Sequence, residues 1–271
     1  MNDDFGDRMK LLEQNEAGRR TLPLLPVCVR LDGKGFSKYT KNMQRPYDER
    51  FSNVMMSTTK ALVENTNACI GYTQSDEISL ILHSETYESQ IFFDGKIQKI
   101  VSVLASMATA HFNRFVHNYI PAELTPIYPG LFDCRVWNVP TKSEAANAIL
   151  WREQDATKNA ISMAARHYYS HKELMNQNGK QMQEMLFKKG VNFNDYPSFF
   201  KRGTFFQRRK ALKILSESEL ALIPEPHRSE VAGKQVERTE VVRLEMPPFG
   251  RVKNRVEVVF NGAVPVSESV I

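Results

Sequence analysis

Two aspartates occupy positions where metal-assisted chemistry could be done. Asp32 closes the short apolar run Val27-Cys-Val-Arg-Leu-Asp32, and Asp76 ends the turn Thr73-Gln-Ser-Asp76, 44 residues later. Paired carboxylates suit Mg²⁺, a hard cation that takes oxygen ligands and keeps positions open for phosphates. Two such ions would activate an attacking hydroxyl and stabilise a leaving pyrophosphate. An aspartate at a strand end or turn also satisfies local backbone groups. The pair therefore acquires chemical meaning only if the fold brings the two together.

Other residues could hold phosphate. Gly33 and Gly35 bracket Lys34 directly after Asp32. Glycine lets successive amides approach and cradle an anion, although a tight turn accounts for the same spacing. A helix is expected from Asp94, with Asp94 as its N-cap, which puts Lys96 and Lys99 in its first turn. Cations there oppose the helix dipole, and a bound triphosphate would supply the missing negative charge. His167 and His171 are spaced i, i+4 but lack the glutamate of a zinc protease, and read as surface residues.

The charge is unevenly placed. The whole chain of 271 residues carries a formal +5, yet residues 188–213 hold eight basic residues against Asp195 alone, a net of +7. The basic set is Lys188, Lys189, Lys201, Arg202, Arg208, Arg209, Lys210 and Lys213, interleaved with Phe193, Tyr196, Phe199, Phe200, Phe205 and Phe206. Basic groups can track phosphates while aromatic faces stack on unpaired bases. A solvated rim around core phenylalanines is the competing reading.

The elements that must position these groups follow from periodicity. Val27–Asp32, Ala68–Tyr72, Glu77–His83 and Leu131–Val139 read as strands. Phe51, Val54, Met55 and Leu62 mark one helical face, and Ile97, Ile100, Val101, Leu104, Ala108, Phe112 and Phe115 mark another. The order β-α-β-β-α-β is the split pattern of a ferredoxin-like α+β sheet. In that sheet the first and third strands are antiparallel neighbours, so Asp32 and Asp76 are expected at one edge. The chain divides into a ferredoxin-like unit at 1–140, a helical and basic region at 141–215, and an extension at 216–271. In the extension, Val236–Met246 and Val252–Asn261 alternate as in a β-hairpin.

Composition sets the frame. With 42% hydrophobic and 25% charged residues, the chain is neither disordered, collagen-like nor a coiled coil. No apolar run approaches the ~18 residues of a membrane span. The acidic start Met1–Asp7 lacks the features of a signal peptide. Cys28, Cys69 and Cys134 are odd in number and set in apolar stretches, as expected of reduced core residues in a cytoplasmic protein.

Several motifs occur in a fixed order: Arg30-Leu-Asp-Gly-Lys-Gly-Phe-Ser37, Arg45-Pro-Tyr-Asp-Glu-Arg50 and Gly71-Tyr-Thr-Gln-Ser-Asp-Glu-Ile-Ser79. They continue through Trp151-Arg-Glu-Gln-Asp155, Gly190-Val-Asn-Phe-Asn194 and Lys201-Arg-Gly-Thr204. Over about residues 3–210 the chain resembles the tRNA-His guanylyltransferases and their bacterial and archaeal relatives, which are 3′-to-5′ nucleotide polymerases. Gly6-Asp-Arg-Met-Lys10 and the C-terminal extension are more similar to the bacterial type.

The resemblance implies a polymerase palm in which Asp32, the Gly33 carbonyl and Asp76 hold two Mg²⁺ ions, with Asp32 and Asp76 catalytic. It implies nucleotide contacts from Asp32, Gly33, Lys34, Gly35, Phe36, Ser37, Ser75 and Asp76, with Lys96 and Lys99 on the triphosphate. Asp155 and Asn159 fall in a further family motif, and Lys201–Thr204 is implied to lie near RNA. With the basic segment, the RNA-binding candidates are Lys188, Lys189, Lys201, Arg202, Arg208 and Arg209. ATP or GTP, or both, would serve as activating and incoming nucleotides, tRNA would be the partner, and the assembly would be a homotetramer.

Two departures sharpen the expectation. Where the eukaryotic type carries His-Ile-Asn-Asn, this chain has Thr157-Lys-Asn-Ala160. That favours templated repair of 5′-truncated tRNA over addition of a single guanosine to tRNA-His. Lys34 and Ser37 replace the more usual Arg and His, leaving purine choice open. Two other classes are weighed against this reading. A nucleotidyl cyclase would carry Gly-Gly-Asp-Glu-Phe, which is absent at 74–78. A non-catalytic RNA-binding module would not need both aspartates.

Overall fold

The computed structural model describes residues 3–267. In chain order its elements begin with α1 (Asp4–Ala17), β1 (Val27–Gly33), α2 (Phe36–Tyr39), α3 (Glu49–Asn65), β2 (Ala68–Gln74), β3 (Glu77–Leu82), α4 (Ile97–Tyr119) and β4 (Phe132–Asn138). There follow α5 (Lys142–Tyr168), α6 (His171–Leu174), α7 (Gly179–Lys188), α8 (Ser198–Arg202), β5 (Thr204–Ile214), α9 (Glu217–Ala221), α10 (Glu225–Val231), β6 (Gln235–Leu244) and α11 (Arg255–Phe260). The expected βαββαβ order is β1-α3-β2-β3-α4-β4, within one antiparallel sheet ordered β4-β1-β3-β2-β5-β6.

Strand alternation divides the core into two layers. Val27, Val29 and Leu31 face α3 and α4, where they meet Val54, Met55, Leu62, Leu104, Ala108 and Phe112. Each such large side chain contributes roughly 1.5–3 kcal/mol by leaving water. Cys28, Ile70, Tyr72 and Ile81 point to the opposite face and pack under α5 and α11, against Ala145, Ile149, Val258 and Val259. A third, smaller cluster joins α5 to α7 through Ala160, Ile161, Ala164, Leu186 and Phe193. Cys28, Cys69 and Cys134 are free, and no helix among the described residues is long and apolar enough to cross a membrane.

Two local expectations are corrected. Asp94 does not cap α4: it lies at φ 54° in a preceding tight turn, Lys96 occupies the cap, and Asp94 pairs with Arg20 instead. In the extension, Val236–Met246 does contain a strand, but its partner is β5 rather than Val252–Asn261. Residues 255–260 form α11, whose Val258 and Val259 are buried against α5 and the sheet. The alternation there was ambiguous because six residues span less than two helical turns. β5 joins β2 through Thr204–Gln207 and continues beyond the sheet as a ribbon with β6, so one sheet draws strands from all three sequence regions.

Candidate active site

Register places the two aspartates together. Asp32 pairs across β1–β3 with Glu77, and Gly33 donates its N–H to the Asp76 carbonyl at 3.0 Å. Asp32 is flanked on its other side by Asp133 of β4. Ser75 takes φ 49° in the β2–β3 turn, and its hydroxyl donates to the Asp76 carboxylate at 3.0 Å. Asp32, Ser75 and Asp76 line a cleft of about 660 Å³, walled by α5 and by the segment from Phe36 to Ser52.

The electrostatics fit a cation. Burial pushes the Asp76 carboxyl above its ordinary 3.8, and the like charge of Asp32 adds to the rise. No ion pair among the described residues reaches Asp76, whereas Arg135 stands 3.9 Å from Asp32 and 3.4 Å from Asp133. The carboxylates and adjoining carbonyls are hard oxygen donors, the chemistry of magnesium. Among the described residues no three His, Cys, Asp or Glu side chains gather as a closed cage.

A buried ion pair anchors this edge of the sheet. Arg152 of α5 donates to both Glu77 oxygens, at 2.5 and 2.8 Å, and to Asp155 at 3.1 Å. Burial pushes the Glu77 carboxyl up, and Arg152 draws it back. Asn159, one turn on from Asp155, donates to it at 3.3 Å, so both residues of that motif stand on the cleft wall. At the rim, Asp48 caps α3 and binds Arg50 at 2.6 Å and the Gln44 amide at 3.0 Å. Its carboxyl is held down at about 2 by Arg50 foremost. Tyr47 meets Phe199 and Phe200 with ring centroids 5.4 and 4.9 Å apart, joining the rim to the basic segment.

The glycine loop is partly a turn. The amides of Gly33 and Lys34 are engaged by the carbonyls of Asp76 and Leu131. They do not cradle a phosphate. Gly35 has φ +70°, which favours glycine, and a Cβ on Gly33 would sit 2.5 Å from the Phe36 ring. Phe36 belongs mainly to the core, stacked on Tyr39 and edge-on to Phe112, with one edge toward the cleft. Ser37 lines the cleft, while Lys34 is exposed beside it.

Lys96 and Lys99 are not brought to the aspartates. Thr21 donates to Gly95, so α4 begins beside the chain entering β1, whereas Asp32 lies at the exit of β1. The end of α4 near the cleft is marked by Phe112 against Phe36. Sixteen residues of helix separate it from Lys96, about 24 Å. Lys99 rests on the Phe93 ring at 4.9 Å.

The basic segment also divides. Arg208 is not a free RNA contact: its guanidinium donates to the carbonyls of Ala68 at 3.0 Å, Thr66 at 2.6 Å and Val63, closing the C-terminal end of α3. Arg209 pairs with Glu240 and Lys210 with Glu237, both at 2.8 Å, and Lys213 pairs with Glu219. These acidic partners lie outside 188–213, so the +7 count overstated the exposed charge. Phe193, Phe205 and Phe206 are core. Lys188 and Lys189 are exposed at the end of α7, Lys201 donates to the Asn194 carbonyl, and Arg202 is half-buried in α8.

Sequence reasoning did not single out Glu77, Asp133, Arg135 or Arg152. The signals were present: Glu77 follows Asp76, Arg152 lies within the Trp151–Asp155 motif, and period-two alternation sets Asp133 and Arg135 on one face of β4.

Residues 6–140 match the family model described as tRNAHis guanylyltransferase. A solved bacterial tRNA(His) guanylyltransferase-like protein in complex with ATP is 36% identical, with 94% of this chain and 97% of that one covered and a TM-score of 0.73. A bacterial counterpart in complex with GTP is 33% identical, covering 92% and 94%, with a TM-score of 0.69. The tRNA(His) guanylyltransferase of Neurospora crassa is 28% identical over 263 residues, 87% of this chain and 86% of its own length.

Proposed function

The chain belongs to the tRNAHis guanylyltransferase family and is a nucleotidyltransferase, and from that premise we propose a Mg²⁺-dependent 3′-to-5′ polymerase that repairs 5′-truncated tRNA. The observation that carries the reading is the convergence of Asp32 and Asp76 at one sheet edge inside a cleft of nucleotide size. The solved relatives bind ATP and GTP, and those nucleotides are taken as the substrates here.

The chemistry has two stages. A 5′-phosphate oxygen of the RNA attacks the α-phosphorus of a nucleoside triphosphate, a P–O bond forms, and pyrophosphate leaves. The 3′-hydroxyl of an incoming nucleotide then attacks the activated 5′-phosphorus, and a nucleoside monophosphate leaves. Both are in-line displacements that need positioning and charge neutralisation more than covalent catalysis. Asp32, Asp76 and the Gly33 carbonyl would hold magnesium, which supplies charge neutralisation and lowers the pKa of the attacking hydroxyl. Arg152 holds Glu77, and through it the start of β3, against α5. The rim from Gln44 to Asp48, fixed by Arg50, borders the space for the nucleotide.

Repair, rather than addition of one guanosine, is supported at Thr157-Lys-Asn-Ala160. Thr157 spends its hydroxyl on the Lys201 carbonyl at 3.0 Å, tying α5 to α8. The deciding assay offers full-length protein a tRNA lacking its first nucleotide, Mg²⁺ and each labelled nucleotide separately. Addition of the base complementary to the opposite strand is expected. Addition of guanosine regardless of that base would favour the single-nucleotide reading. No addition, or full activity in Asp32→Ala and Asp76→Ala, would remove the polymerase reading.

A further inference from the structure

Two hydroxyls far apart in the chain meet at the end of helix α8. That helix has five residues, Ser198–Arg202, and no side chain caps its start. A helix so short is not stable alone, and the last carbonyls of any helix lack partners within it. Here two of them are engaged from outside. The Tyr72 hydroxyl of β2 donates to the Arg202 carbonyl at 2.9 Å. The Thr157 hydroxyl of α5 lies 3.0 Å from the Lys201 carbonyl and 3.1 Å from the Glu153 carbonyl of its own helix, so its proton is shared between them.

The anchor is rigid. Tyr72 is fully buried, its ring packed on Phe205 with centroids 4.8 Å apart. Burial foremost raises its phenol well above the ordinary 10, so it remains a donor at neutral pH. Beyond Arg202 the chain passes so close to β2 that a Cβ on Gly203 would sit 2.5 Å from the Thr73 carbonyl oxygen and 2.7 Å from the Tyr72 hydroxyl. Thr204 then pairs with Thr73 in the sheet. From α8, Phe199 and Phe200 line the cleft that holds Asp32 and Asp76, where they meet Tyr47 of the rim. The strand bearing Tyr72 runs on into the turn of Ser75 and Asp76. One strand therefore leads to the acidic edge and also anchors an aromatic wall of the same cleft.

We propose that Tyr72 and Thr157 are positioning residues, whose hydroxyls hold the last two carbonyls of α8 and so fix Phe199 and Phe200 as a wall of the nucleotide cleft. The inference rests on the reading of that cleft as the place where the nucleotide binds. Neither hydroxyl touches the reacting atoms. The Asp32–Asp76 edge is set by main-chain pairing of β1 with β3, which does not involve α8. Loosening α8 therefore weakens nucleotide binding and leaves the chemical step in place, the pattern of a raised KM with kcat kept.

Tyr72→Phe and Thr157→Val remove one hydroxyl each and keep the packing volume. In full-length protein, ATP affinity by equilibrium dialysis should fall about five-fold in each, the worth of one hydrogen bond. In nucleotide addition to 5′-truncated tRNA, KM for ATP should rise alongside, with kcat within about two-fold of the parent. Thr157→Ser keeps the hydroxyl and should restore parental affinity. Should Tyr72→Phe fail to fold, the Thr157 pair of variants carries the test. Unchanged affinity in Tyr72→Phe and Thr157→Val overturns the proposal, as does Thr157→Ser behaving like Thr157→Val. A fall in kcat with KM unchanged also overturns it, because that is the signature of lost active protein. The two readings fail separately. Weakened ATP binding in the variants of a parent that adds no nucleotide keeps the positioning role and removes the polymerase; addition by the parent with unchanged affinity in the variants removes the positioning role alone.

Discussion

Arg152 and Glu77 form a buried two-point ion pair that ties helix α5 to the strand opening directly after Asp76. Both side chains are about one-tenth exposed, so removing one partner strands a charge away from water.

Arg152→Ala is therefore expected to destabilise the protein by about 3 kcal/mol, the scale of breaking one side of a buried pair. Adding Glu77→Gln to that variant should recover part of the loss, because the stranded carboxylate is gone. Urea denaturation of the two single variants and the double variant measures the coupling. Strict additivity would show that the pair does not act as a unit.

Asp76→Asn separates catalysis from stability. Because the folded-state pKa of Asp76 is raised, the folded state binds its proton more tightly than the unfolded state. Its ionisation therefore costs stability as pH rises through the folded pKa, and that cost is absent below the unfolded value. The variant should unfold at a higher temperature than the parent at neutral pH, with the gain disappearing under acid, while nucleotide addition falls by at least about a thousand-fold. A lower melting temperature at neutral pH would contradict the assignment of its environment.

Asp48 behaves in the opposite sense. Its folded pKa is lowered from 3.8 to about 2, so its contribution is present above the unfolded value and is lost as pH falls through about 2. Asp48→Ala should cost about 1 kcal/mol at neutral pH, allowing for the partial exposure of Arg50 and the loss of a helix cap. The cost should shrink between about pH 4 and pH 2. Thermal melts across that range test the sign.

The basic segment should divide by function. Lys188→Ala, Lys189→Ala or Arg202→Ala is expected to weaken tRNA binding and reduce the salt slope by about one unit per lost phosphate contact. Arg208→Leu should lower stability, since the Val63 and Thr66 carbonyls at the end of α3 and the Ala68 carbonyl at the start of β2 lose their donor, while leaving the salt slope unchanged. A slope change in Arg208→Leu equal to that in Arg202→Ala would place Arg208 in the RNA interface after all.

The sequence by itself determined the palm and its acidic edge. Apolar spacing at 3.6 and 2 residues marked β1-α3-β2-β3-α4-β4 because each element buries one face. The antiparallel pairing of β1 with β3 then brings Asp32 beside Asp76. Tertiary structure alone decided which charges stay available. Arg208 and Arg209 look alike in sequence to Arg202, yet one closes a helix and the other pairs with Glu240. Lys96 and Lys99 look suited to phosphate, yet α4 carries them to the far end of the sheet. Such facts depend on partners distant in the chain, and local periodicity carries no record of them.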